Sequence, residues 1–233
     1  MTNNAVILFT RIPVAGKTKT RLMPVLTGEE CCELQSAFLL DMYSELQKVK
    51  SSRDIFVYYA PEGELTQLQT LLSGAEVFFP QTGKDLGEKM YNAFCNVLKM
   101  GYSRCVLLGS DLPLLRAKDV DAAFDMLATH DMVLCPTEDG GYYLIGMKEP
   151  VSEVFNVTYG KSTVFTESIA QAKRAGKTCA IGARAQDIDE PQDLFNLMDK
   201  LKNEDSSVCP NTRIVLENKG RLYGTRKNGK EID

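Results

Sequence analysis

The sequence has no tryptophan, a single histidine and no two cysteines in C-x-x-C spacing. One histidine, His130, excludes by count a His-rich metal site and a histidine-based triad, and its position near the end of a predicted helix suits a surface or capping role. The seven cysteines are odd in number, and Cys95, Cys105, Cys135 and Cys179 sit in apolar segments as small core residues do. Neither disulfides nor zinc are expected. No apolar run approaches the ~20 residues of a membrane span, and polar Thr2, Asn3 and Asn4 lead into a strand instead of a signal peptide. These absences predict a cytoplasmic protein. An excess of positive charge is also missing: the net charge of -4 argues against nucleic acid as a partner. Carboxylates, lysines and arginines are left to carry any chemistry.

A length of 233 residues suits one large domain, alone or with a small appendage. Residues 5–9, AVILF, form an apolar, β-branched run of the kind buried on both faces of a parallel sheet. The next stretch places Arg11, Lys17, Lys19 and Arg21 around Gly16, with Pro13 stiffening the turn and Pro24 stopping any helix soon after. Cations so close together repel unless they face water or an anion, and loops at the carboxyl ends of parallel strands are where α/β sheets bind ligands. The stretch reads as a polyphosphate grip. Two readings compete: a solvated basic turn, and a P-loop, since RIPVAGKT at 11–18 fits G-x-x-x-x-G-K-[ST] except that Arg11 replaces the first glycine.

Further along, Thr27 and Glu30 form a capping-box pattern that opens a helix with Leu34, Phe38, Met42, Leu46 and Val49 on one stripe. Strands at 54–60 and 76–80 flank a helix at 62–72, giving a βαβαβ order. The polar loop from Gln81, with Gly83, Asp85 and Gly87, leaves a strand end and enters another helix, so Gly83 and Asp85 join the candidate nucleotide-binding set. The apolar strand from Cys105 delivers Ser110 and Asp111 at its tip. Asp111 there is a candidate Mg²⁺ ligand, the competing role being an Asx-turn or helix cap. A helix at 118–129 and a strand at 132–136 precede Asp139, Gly140, Gly141 and Tyr142, which read either as a hairpin turn or as a floor against which a ligand approaches. A helix at 161–175 and a strand at 178–181 follow. Asp189 reads as the N-cap of a helix with Pro191 in its first turn, and as a second carboxylate for the metal held by Asp111. Residues 1–202 are expected to form the domain. Residues 203–207 read as a linker, 213–223 as a hairpin, and the basic end as a disordered tail or a subunit contact, the latter allowing a homodimer.

Four motifs, FTRIPVAGKTKTRL at 9–22, GSDLP at 109–113, DGGY at 139–142 and DIDEPQDL at 187–194, together resemble a bacterial glycosyltransferase-like (DUF2064-type) family of the GT-A, or nucleotide-diphospho-sugar transferase, superfamily. More distant similarity extends to 2-phospholactate guanylyltransferase and molybdenum-cofactor guanylyltransferase. The resemblance covers about residues 5–201. It implies a three-layer α/β/α fold with a mostly parallel mixed sheet, a first loop that holds nucleotide phosphates, and a divalent metal, Mg²⁺ or Mn²⁺, on Asp111 with Asp189 or Asp187.

The expected activity is therefore Mg²⁺-dependent transfer of a nucleotidyl or glycosyl group from a nucleoside triphosphate or nucleotide sugar to a small acceptor. Lys17, Lys19 and Arg21 would neutralise phosphate charge and Asp111 would hold the metal. Asp139 could activate an acceptor hydroxyl, with Gly140, Gly141 and Tyr142 on the acceptor side, and Arg11, Gly16 and Ser110 completing the phosphate side. The alternatives are a non-catalytic nucleotide-binding protein of the same fold and a P-loop-like NTPase or kinase.

Overall fold

The first strand, β1 (Asn4–Arg11), is buried at every residue but the last, with Ala5, Ile7 and Phe9 facing one side of the sheet and Val6 and Leu8 the other. That two-sided burial is what its continuous apolar run requires. The structure, a computed structural model, describes residues 3–51 and 54–219.

β1 pairs in parallel with β2 (Asp54–Ala60) and β4 (Arg104–Leu108), and β2 in parallel with β3 (Val77–Pro80). Beyond β4 lie β6 (Tyr142–Met147), β5 (Met132–Pro136) and β7 (Cys179–Ile181), in the order β3-β2-β1-β4-β6-β5-β7. β6 runs antiparallel to both neighbours, and β7 is parallel to β5. The sheet is mixed and mostly parallel, as expected.

Helices α1 (Gly28–Leu46), α2 (Leu65–Leu71) and α4 (Ala117–Thr129) cover the Val6 and Leu8 face, through Leu39, Met42, Leu68, Val120 and Phe124. On the other face α3 (Leu86–Lys99) and α5 (Val164–Arg174) supply Met90, Phe94, Val97 and Ala172. The Thr27 capping box is formed: the Thr27 hydroxyl accepts from Glu30 N–H at 3.3 Å and the Glu30 carboxylate from Thr27 N–H at 2.8 Å.

A third core lies behind α1, where Leu34 and Phe38 meet α6 (Pro191–Asn203) and α7 (Pro210–Glu217) through Leu194, Leu197, Leu201 and Leu216. It corrects the expected hairpin, because residues 210–217 are helical. Pro210 stands at the helix start, and buried Asp41 of α1 accepts from Asn211 N–H at 3.0 Å and Thr212 N–H at 2.8 Å. Of the turn expected at 218–220, Asn218 instead follows the end of this helix, while Gly220 and the tail beyond it fall outside the described residues. Leu22 and Ile188 share this core, which ties the first loop to the segment before α6. Among the described residues no helix is long and apolar enough to cross a membrane.

Candidate functional site

A cleft of about 800 Å³ opens at the carboxyl ends of β1 and β4, lined by Arg11, Lys17, Lys19, Arg21, Asp111 and Asp189 among others. A hollow of about 920 Å³ at the opposite ends of the strands, around Asn3, Asp54 and Val77, holds none of the candidate residues.

The first loop turns on itself before reaching the cleft. Val14 carbonyl accepts from Lys17 and Thr18 N–H, each at 3.0 Å, and the buried Thr18 hydroxyl accepts from Val14 N–H at 2.8 Å. Gly16 adopts φ +73°, and a Cβ on Gly28 would lie 2.8 Å from its nitrogen, so the turn is packed against the start of α1. After Lys19, at φ 50° and ψ 41°, the chain makes one 3-10 turn, Thr20–Leu22, and no α-helix begins until Gly28. A P-loop needs a helix N-terminus directly after Gly-Lys-Thr to cradle phosphate, so that reading is corrected.

Lys19 is the buried cation of this loop. Its side chain is 4% exposed, and Nζ lies 2.7 Å from Asp111 Oδ1, 2.5 Å from the Ile188 carbonyl and 3.9 Å from Asp189 Oδ1. Arg21, with a 68% exposed side chain, holds Asp189 Oδ2 at 2.5 Å. Asp111 carbonyl also accepts from Ile188 N–H at 3.0 Å, so backbone and ion pairs together join the tip of β4 to the segment before α6.

Asp189 is not the N-cap expected of it. Glu190 takes that position, and Asp193 within the first turn accepts from Glu190 N–H at 2.8 Å and Asp189 N–H at 3.2 Å, leaving the Asp189 carboxylate to the two cations. The Asp187 carboxyl is pushed up to about 6, first by burial and then by the charges of Asp139 and Asp111.

Other candidates have structural work of their own. Asp85 caps α3, accepting from Glu88 N–H at 2.8 Å, and Gly83 sits at φ +146° where a Cβ would meet Lys89 N at 2.8 Å. Neither lines the cleft. Asp139 accepts from the Thr137 hydroxyl at 2.5 Å and Gly141 N–H at 3.0 Å, closing the β5–β6 turn. Gly140, at φ +91°, packs against the Ser162 carbonyl so closely that a Cβ would not fit, and it does not line the cleft. Tyr142 does line the cleft, its hydroxyl 3.2 Å from that of Tyr159. Ser110 lines it too, but its hydroxyl is already bonded to Thr10 at 3.0 Å and to the Gln35 amide at 3.0 Å.

Sequence reasoning missed Gln35, Gln81 and Lys89, all in the cleft wall. Gln81 is held at the end of β3 by donating to Thr10 carbonyl at 2.8 Å and Tyr58 carbonyl at 3.1 Å. Its place directly after a strand, like that of Asp111, was the available signal. Gln35 carries no such signal, lying mid-helix on an otherwise apolar face.

The family model described as "Uncharacterized protein conserved in bacteria (DUF2064)" matches residues 43–161. The chain belongs to the DUF2064 family. A protein of Phenylobacterium zucineum named 3-phospho-D-glycerate guanylyltransferase is 32% identical over 184 residues, covering 77% of this chain and 83% of the relative. A 2-phospho-L-lactate guanylyltransferase of Methanothrix thermoacetophila is 27% identical over 90% of this chain and 92% of its own. A crystal structure from Desulfovibrio desulfuricans G20, described as a nucleotide-diphospho-sugar transferase, is 28% identical with a TM-score of 0.88, covering 96% of this chain and 98% of that one. This DUF2064 member is a transferase with the nucleotide-diphospho-sugar transferase fold.

Proposed function

We propose that the chain is a Mg²⁺-dependent guanylyltransferase that joins the guanylyl group of GTP to the phosphate of a small phosphorylated carboxylic acid. The observation that carries the reading is the convergence of Lys19, Arg21, Asp111 and Asp189 on one cleft at the strand ends. Relatives named guanylyltransferases for 3-phospho-D-glycerate and 2-phospho-L-lactate support the donor base and the acceptor class.

A metal fits the residues present. The Lys19 ammonium stands in for an ion: a carboxylate and a carbonyl oxygen gather on its single positive charge, with a second carboxylate just beyond. These are hard oxygen donors, and Mg²⁺ is usually held by one or two carboxylates with the rest of its sphere from phosphate and water. Asp111 and Asp189 would hold it, with Asp187 beside them. When bound, Mg²⁺ supplies charge neutralisation and orientation for the phosphates.

In the reaction, an oxygen of the acceptor phosphate attacks the α-phosphorus of GTP, the bond from that phosphorus to the bridging oxygen breaks, and diphosphate leaves. A phosphate monoester dianion has no proton to lose, so no general base is called for. Lys19 and Arg21, joined by Lys17 and Lys89 at the cleft wall, neutralise charge on the transferring and leaving groups. Tyr142 and Gly160 also line the cleft, and in this reading they lie on the acceptor side.

The test is product formation from GTP, Mg²⁺ and a panel of phosphorylated hydroxy acids and enol acids. Diphosphate released only when an acceptor is present is the expected result. Release of GDP or GMP with a sugar donor would move the reading to glycosyl transfer, and release of inorganic phosphate from GTP alone would contradict both.

A further inference from the structure

We propose that Lys19 and Arg21 are built-in counter-cations of Asp111 and Asp189, so that in the nucleotide-free enzyme they exclude the divalent metal until a triphosphate draws them away. The inference deepens the proposed function and rests on it for the identity of the ligand, but its central prediction needs no ligand other than a metal.

Of the three carboxylates that line the cleft, Glu62, Asp111 and Asp189, the last two are matched to Lys19 and Arg21 of the first loop, and Glu62 lies 3.9 Å from Arg11. The Lys19 ammonium is in hydrogen-bond contact with Asp111 and the Ile188 carbonyl, and its side chain is almost wholly buried while that of Asp111 is 44% exposed. Asp111 is thus open to solvent on one side and plugged on the other. Arg21 does the same for Asp189 from the rim. A divalent ion at these oxygens and an ammonium at hydrogen-bond distance from them repel in a partly buried site, so each weakens the other's hold on it.

A triphosphate changes the balance. Its negative charge offers Lys19 and Arg21 new partners within the same cleft, and their departure exposes Asp111 and Asp189 to the metal that the triphosphate brings. Lys19 is suited to such a swing, since it carries a four-carbon stem with three rotatable donors. Metal and nucleotide then enter as one unit, and neither binds tightly alone.

The experiment measures Mn²⁺ binding, by free-Mn²⁺ paramagnetic resonance, to the full chain without nucleotide as wild type, Lys19→Met and Arg21→Gln. Lys19→Met is expected to bind Mn²⁺ more tightly by roughly 5- to 150-fold, the usual span of a coupling between two sites. Arg21→Gln is expected to show a smaller gain of about twofold, because its ion pair is screened by solvent. Affinity in Lys19→Met equal to or below wild type overturns the proposal. Should Lys19→Met not fold, Arg21→Gln on its exposed side chain decides, and an unchanged affinity there overturns the proposal. Calorimetry of Mg²⁺ with GTP on the wild type separates the two claims: no binding removes the guanylyl reading while the Mn²⁺ series still stands or falls by itself.

Discussion

Lys19 Nζ lies 2.7 Å from Asp111 Oδ1, joining the buried cation of the first loop to the tip of β4. In the proposed reaction the pair brings the group assigned to phosphate and the group assigned to the metal within one side-chain contact, and the predictions about the reaction start from it.

Asp111→Asn removes the carboxylate while keeping its shape. Transition-state charge stabilisation by a metal amounts to several kcal/mol, so diphosphate release should fall on the order of 10²-fold or more. Steady-state assays at saturating Mg²⁺ check this, and activity within a few-fold of wild type would take Asp111 out of the site.

Arg21→Gln acts at the rim, since the side chain is 68% exposed. Its stability should stay within about 0.5 kcal/mol of wild type, as for most surface changes. The KM for GTP should rise about tenfold, about 1.4 kcal/mol, with affinity for guanosine unchanged. Equal losses for GTP and guanosine would mean that Arg21 does not touch phosphate.

Asp187 gives a signed pH dependence. Its carboxyl is raised from 3.8 to about 6 in the folded chain, so between those values the folded state holds a proton that the unfolded state has lost. Stability from this group is therefore fully present at low pH and declines as pH rises through about 6. In metal-free buffer Asp187→Asn should melt with wild type near pH 3, below the unfolded value, where the carboxyl is mostly neutral folded and unfolded, and above it at pH 7.5, by ~2–4 °C for each kcal/mol relieved. A melting difference independent of pH would contradict the assignment.

Asp41 tests whether α7 belongs to the domain. It is 4% exposed and caps the helix with both oxygens. Asp41→Ala leaves those N–H groups without their acceptor and should cost about 2–3 kcal/mol, read from denaturant midpoints. A cost under 0.5 kcal/mol would show that α7 contributes little to the fold.

Most of the sheet was legible because β1 and β4 are apolar on both faces and their neighbours are bounded by turn residues. The α1 start was legible because a capping box is a local signal. The insertion of β6 between β4 and β5 was not, since strand order is set by long-range pairing that periodicity does not encode. α7 was misread because β-branched Ile214 and Val215 run into turn residues at 218–220 and so suggest a hairpin, and the cap that makes the segment helical comes from Asp41, far away in the chain. At the site, the cleft position of Lys19, Arg21 and Asp111 was legible from strand-end placement, and that of Asp189 from its place at a helix start. Asp85, Asp139 and Gly140 do not line the cleft and have local contacts of their own, because capping, Asx turns and close backbone approach call for the same residue types as phosphate or acceptor binding. That the cations would pair with the carboxylates could not be read from either motif alone.

The most direct test of the account is mass spectrometry of the product from GTP, Mg²⁺ and 3-phosphoglycerate or 2-phospholactate incubated with the chain. The account predicts a species in which GMP is joined to the acceptor phosphate, formed together with diphosphate and absent with Asp111→Asn. Unchanged GTP across a full panel of such acceptors, with Mg²⁺ present and the chain folded, would contradict it.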